Sequence, residues 1–217
     1  LRLDQAVQRG VQRHGHAESL QVIVARYLEK NDVDFAAQLA DTIDDGYARD
    51  RLLSGVAEKC AELDDDEYAL QLADAIEDAG FQSLTRERIA VRKAEKGEFK
   101  KAFEIAETLP HASDALAEIA VRQAAAGNET SALEIISDID YPASRGNALQ
   151  AIAAHFQSAG NEEKALELFA GAAAEAKEIE FAEEKIRALL SIVGHYIEIK
   201  RMDKAIETLA ETQAVAE

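Results

Sequence analysis

Residues 144–169 read SRGNALQAIAAHFQSAGNEEKALELF, and this stretch decides the fold. Leu149, Ile152, Ala153 and Phe156 recur at intervals of three and four, the period of one helical face. Gly160 then interrupts the pattern, as a residue able to take the left-handed conformation that ends a helix. Asn161 follows and can cap a new helix. Ala165, Leu166, Leu168 and Phe169 make a second apolar stripe. Two amphipathic helices joined by so short a turn bury both stripes by facing each other.

Outward from this hairpin the same design recurs in both directions. Turns anchor at Asn31, Asp64, Gly97, Gly127, Gly160 and Lys200, spaced by 33, 33, 30, 33 and 40 residues. Five residues after each anchor stands an alanine: Ala36, Ala69, Ala102, Ala132, Ala165 and Ala205. Eight before each stands a branched aliphatic: Ile23, Val56, Ile89, Ile119, Ile152 and Ile192. Eleven before are Leu20, Leu53, Arg86, Leu116, Leu149 and Leu189, with Arg86 the departure. A period of this length is the mark of a repeat array. The recurring alanine belongs where the two helices of a hairpin come closest, since a larger side chain would overpack the site by roughly 1–3 kcal/mol. The expected units are residues 16–48, 49–81, 82–111, 112–143, 144–182 and 183–217, with 1–15 the end of a preceding one, where Ala6 and Val7 fall on a second-helix stripe.

Local signals refine the expectation. Asp32, Asp65, Asn128 and Asn161 suit the caps of second helices, Ser83 and Ser113 the caps of first helices, and Pro142 a first helical turn. Lys200 and Arg201 fit neither turn role, so a looser last turn is expected. The seven-residue excess between Asn161 and Ile192 contains Ala172, Ala173, Ala174, Glu175, Ala176 and Lys177, all strong helix formers. It predicts one helix lengthened by about two turns and projecting past its neighbours.

Composition narrows the function classes. The 217 residues carry a formal charge of −18. A nucleic-acid binder needs a basic surface, so neither DNA nor RNA is an expected partner, and an anionic membrane surface is disfavoured too. A basic partner suits the charge. The single Cys60 excludes an internal disulfide and stands in a buried column. No continuous apolar run reaches the length of a membrane span. The chain opens on Leu1 without a signal peptide, so a trimmed product or fragment is expected, and a soluble, cytoplasmic setting is favoured.

The repeat resembles the tetratricopeptide repeat. The aromatic of that family's first helix is matched by Tyr27, Phe156 and Tyr196 and replaced by Cys60, Lys93 and Gln123, while Phe99 alone matches the aromatic after the turn. The family's closing proline is absent, and its tryptophan-like position carries Leu. The resemblance implies an all-α, right-handed α-α superhelix of about six helix-turn-helix repeats of 30–40 residues. It implies first helices lining a concave face that holds a peptide or helix of another protein. The segment AGNEEKALELF, residues 159–169, is also similar to pentatricopeptide repeats, which bind RNA; the charge opposes that activity here.

On such a face an apolar floor is expected from Val91, Ala94, Ala117, Val121, Ala124, Ala151 and Ala154. Around it stand Arg51, Glu58, Glu87, Arg88, Glu118, Asn147, Gln150 and Arg187. The family's clamp for a peptide's terminal carboxylate has its matching positions at Gln21, Ala25, Gly55, Leu84 and Arg88, of which only the last is suited, so no such clamp is expected. A basic column follows the groove edge: Arg26, Lys59, Arg92, Arg122, His155 and His195. Three residues on, Glu29, Glu62, Glu95 and Glu198 allow i,i+3 ion pairs, while Arg122 and His155 lack the acid and are the sharpest candidates for reading an anion.

Chemistry is sparse. The acidic run Asp64, Asp65, Asp66, Glu67 lacks the spacing and glycine of a calcium loop and reads as a solvated turn or a helix start. His14 and His16 flank Gly15, a weak pairing at a chain end. No phosphate loop, catalytic triad or Cys/His ligand cluster stands out. The expectation is a non-enzymatic binding scaffold without cofactor or metal. A self-associating structural module acting through the array ends and the long helix near 165–190 is the alternative, and an enzyme with an unrecognised site the second.

Overall fold

The structure is a computed structural model describing residues 20–216, and among these residues every regular element is a helix. Helix α1 includes residues 20–29. It is followed by α2 (Val33–Asp41), α3 (Gly46–Glu62), α4 (Asp66–Asp74), α5 (Ala79–Glu95) and α6 (Phe99–Ala106). Then come α7 (Ser113–Ala125), α8 (Glu129–Ser137), α9 (Pro142–Ser158), α10 (Glu162–Glu178), α11 (Ala182–Glu198) and α12 (Met202–Ala216). Successive helices pack as hairpins against their sequence neighbours, a helical-repeat arrangement compatible with the expected one. The chain forms two compact bodies divided between Lys93 and Ala94, within the last turn of α5. The expectations for Ala6, Val7, His14 and His16 lie outside the described residues.

All six anchors prove to be left-handed turns between paired helices. Asn31, Asp64 and Lys200 have φ of 59°, 67° and 58°, and Gly97, Gly127 and Gly160 have φ of 79°, 88° and 80°. Each turn recovers carbonyls that the helix end would leave unpaired. The Gly160 amide donates to Gln157 O and the Asn161 amide to Phe156 O, the double bond of a Schellman motif. Lys200 and Arg201 repeat it on Ile197 O at 3.0 Å and Tyr196 O at 2.8 Å, so the last turn is not looser. A left-handed lysine costs roughly 1–2 kcal/mol, and the two recovered backbone bonds offset that. Arg201 also clasps Asp203 with two nitrogens at 3.1 and 2.8 Å and holds that carboxyl down to about 2.

The caps agree in part. Asp32, Asp65 and Asn161 accept the amides of Phe35, Tyr68 and Lys164, whereas Asn128 makes no side-chain capping bond. Pro142 is the first residue of α9, as expected. Ser83 is no cap: α5 begins four residues earlier, where Asp78 accepts the Phe81 amide at 2.9 Å. Ser113 sits one residue inside α7, whose N-cap is Ala112.

The core follows the predicted columns, with Ile23, which is exposed, the departure. The recurring alanines are buried in all six hairpins, and Val56, Ile89, Ile119, Ile152 and Ile192 are fully enclosed. Second helices α2, α4, α6 and α8 are 8 or 9 residues long, but α10 has 17, so the two extra turns are present. They do not project. Ala172, Ala173 and Ala176 are buried, and Gly146 of α9 lies so close that its absent Cβ would stand 3.6 Å from Ala172 O. The extension runs along α9, itself 17 residues long, and the small side chains of both permit the approach.

Candidate docking surface

Residues up to Lys93 place Arg51, Glu58, Arg88 and Val91 on first helices α3 and α5. Arg51 is exposed and Val91 half-buried. Arg88 and Glu58 are already engaged with each other, Nη1 to Oε1 at 2.7 Å across the two helices. The Thr85 hydroxyl donates to Ser54 Oγ at 2.8 Å, inside the same helix contact. Deeper in this body, the buried Asp50 carboxylate accepts the amides of Glu77 at 3.3 Å and Asp78 at 2.9 Å. Burial pushes its carboxyl up, but these amides and Arg49 outweigh that and hold it below the usual aspartate range. Asp50 thereby fixes the loop that launches α5.

The acidic run at the α3–α4 turn has a structural partner. Lys93 has no exposed side-chain surface; its ammonium lies 3.3 Å from Asp64 and also contacts Asp66. Two members of the run thus neutralise a lysine standing where a tetratricopeptide repeat carries an aromatic, and the run is also the expected helix start, with Asp65 capping α4. At the corresponding position of the preceding hairpin, Cys60 is fully buried. Burial, with Asp65 and Asp34 nearby, pushes its thiol up to about 11, so it stays protonated and is not a nucleophile at neutral pH.

Residues from Ala94 on hold the larger part of the proposed surface. First helix α7 packs against α9, and α9 against α11. Second helices α8, α10 and α12 approach one another less closely, and long side chains bridge them: Lys164 to Glu129 and Lys177 to Glu211, each at 2.7 Å. The first helices therefore form the tighter side of this body. Along them Ala117, Val121 and Ala154 are half-buried and Ala151 is exposed. Asn147 and Arg187 are exposed beside them, with Arg187 on Glu183 at 3.1 Å.

Three residues assigned to the groove belong to the packing instead. Ala94 and Ala124 are buried. Gln150 is 7% exposed; its Oε1 accepts the Ser191 hydroxyl of α11 at 2.8 Å, and its amide reaches Gly146 O at 3.4 Å. A side chain spent on both neighbours has no face left for a ligand.

The basic column divides. Arg26, Arg92 and His155 are exposed. Lys59 makes the expected i,i+3 pair with Glu62 at 2.9 Å, and His195 Nδ1 lies 3.5 Å from Glu198. His195 also stacks on Phe169, with ring centroids 4.7 Å apart. Arg122 lacks an acid three residues on, yet it is not open to an anion. Glu95 of α5 reaches it at 3.0 Å, and Glu118 contacts it from its own helix. The position three residues on holds no acid, and the partners come instead from the preceding first helix and from one turn earlier on α7.

Such bridges between successive hairpins are the feature that sequence reasoning missed. Besides Glu95–Arg122 they include Asp114–Ser144 at 2.8 Å and Tyr141–Glu184 at 2.5 Å. Their signal lay in the columns, as polar residues one repeat apart. Among the described residues no group of three or more His, Cys, Asp or Glu is placed to hold a metal, and no helix is long and apolar enough to cross a membrane. Neither a protein-family model nor a curated protein sequence matches the chain.

Proposed function

We propose that the hairpins stack as a right-handed superhelix of the tetratricopeptide type, and that the protein is a binding module. Its ligand is an amphipathic segment of another protein, lodged on the first helices α7, α9 and α11. One observation carries the reading: these helices sit side by side on the tighter side of their body, with small residues between them. Ala117, Val121, Ala151 and Ala154 leave a shallow apolar strip that an incoming apolar side chain can cover, a helix-in-groove or extended-peptide mode of recognition. Asn147, Arg187 and Glu118 on its borders would orient the ligand, and the charge of −18 favours one with basic residues.

The test is affinity capture with the intact chain and with Val121→Glu and Ala154→Glu, each first checked for unchanged helicity by circular dichroism. Both positions are accessible enough to take a charge without entering the core. Captured proteins should be lost from both variants and retained by Ala210→Glu, an exposed site on α12. Retention of every captured protein by the two groove variants would place binding elsewhere.

A further inference from the structure

Charge is sorted within the body that ends at Lys93. The positions thirteen, nine and five residues before the turns of α3 and α5 hold Arg51, Gly55 and Lys59, then Leu84, Arg88 and Arg92. Four of these six are cationic and none is acidic, in a chain of net charge −18. Steps of four residues put each trio on one face of its helix. That face is accessible: Arg51, Leu84, Arg88 and Arg92 are exposed, and Gly55 and Lys59 half-buried. The ion pair of Arg88 with Glu58 at 2.7 Å and the buried Thr85–Ser54 bond show that the two trios lie side by side. On the second helices the exposed charges have the opposite sign, with Asp34 and Asp41 on α2 and Glu67 and Asp74 on α4.

Gly55 is the odd member. Glycine weakens a helix interior, because it gives up the most backbone freedom on folding. At Gly146 and Gly171 the neighbours account for it, since an added Cβ would stand 3.6 Å from Ala172 O and 3.5 Å from the Leu149 side chain. At Gly55, in the middle of the 17-residue α3, nothing lies within 4 Å of an added Cβ. Internal packing therefore does not require this glycine, whereas the close approach of an outside backbone would. Lys59 and Arg88 already face Glu62 and Glu58, but Arg51 makes no ion pair among the described residues. We infer that this face of α3 and α5 docks an acidic segment of another protein, with its backbone over Gly55 and its carboxylates on Arg51, Lys59 and Arg88. From Arg51 to Lys59 is about 12 Å along the helix axis, which about four residues of extended chain span. The recognised acids therefore stand about four residues apart, and Leu84 offers an apolar contact beside them. A nucleic acid suits the face less well. Glu58 and Glu62 stand against the same cations, and a backbone with a phosphate at every nucleotide cannot avoid them. The inference does not rest on the strip of α7, α9 and α11.

Isothermal titration calorimetry on the full chain tests it with two probes, the peptide EGAGEGAGE, whose glutamates stand four residues apart, and a ten-nucleotide oligothymidylate. The peptide should bind saturably, one per chain, and Arg51→Glu should weaken it at least tenfold. Gly55→Leu is the sharper variant. Leucine favours the helix, so the melting temperature should rise while peptide binding falls at least tenfold. Val121→Glu, on the other surface, should leave peptide binding unchanged. No binding of EGAGEGAGE would overturn the proposal, and so would undiminished binding by Gly55→Leu or loss of binding in Val121→Glu. Tighter binding of the oligothymidylate than of the peptide would overturn it as well, by showing that the face reads phosphates.

Discussion

Lys93 shows how a charge is accommodated where the repeat pattern asks for an aromatic. Its ammonium is wholly buried, and Asp64 and Asp66 of the preceding turn compensate it. Removing the partners of a buried charge is far more damaging than replacing the whole group by apolar residues. The double substitution Asp64→Asn, Asp66→Asn should therefore lower stability by about 3 kcal/mol, and adding Lys93→Met should recover most of it. Urea denaturation of the three chains checks both halves. Asp50 supplies the pH dependence. Its folded carboxyl titrates below the unfolded value, so its contribution is complete above the ordinary aspartate pKa of about 3.9 and fades as pH falls through the lower folded value. Asp50→Asn should cost about 1–2 kcal/mol at neutral pH, with the gap from the native chain closing in acid. A gap independent of pH would show that shape and not charge matters there. At this scale the sequence was only half legible. Cys60 could be placed in the core from its column, but nothing local to Lys93 announced that its counter-ions lay 27 and 29 residues back.

Among the elements, the turns were the most legible and the helix ends the least. A left-handed residue leaves a compositional trace, so Gly97, Gly127, Gly160, Asn31 and Asp64 were found from residue type and spacing. Lys200 keeps the geometry without the composition. There the column phase was the better guide, because the bonds to Ile197 and Tyr196 demand the conformation whatever residue occupies it. Lys200→Gly should accordingly raise stability by about 1 kcal/mol. Gly127→Ala should lower it by a similar amount, about 1 kcal/mol, through backbone strain alone. Nothing lies within 4 Å of the added Cβ at Gly127, so no clash would confuse the result. Thermal melts of the two variants against the native chain decide the matter. The length of α10 was equally readable, as a run of alanine-rich sequence, but its docking was not. That depends on Gly146, 26 residues earlier in the chain, where a larger side chain would hold α9 and α10 apart.

For the molecule as a whole the net charge of −18 is the governing electrostatic fact. Ion pairs such as Glu58–Arg88 and Lys164–Glu129 use only part of the acid, and the remainder repels itself. Raising ionic strength screens that repulsion over a Debye length of about 10 Å at 0.1 M salt. The melting temperature should therefore climb between low and moderate sodium chloride, and a fall would mean that the bridges between hairpins outweigh the repulsion. Fold class and hairpin count emerged from periodicity because each repeat restates the same stripe. The strip proposed for docking emerged less completely: Ala117, Val121 and Ala154 kept accessible surface, but Gln150 went into the packing, since periodicity identifies a helical face and not what a neighbouring helix does with it. The bridges named above link residues only 27 to 43 positions apart, from Glu95–Arg122 to Tyr141–Glu184. Contacts so local in sequence keep loop-closure costs small and favour rapid assembly. During synthesis, each hairpin can settle on the one made just before it, with no need to wait for distant segments to emerge from the ribosome.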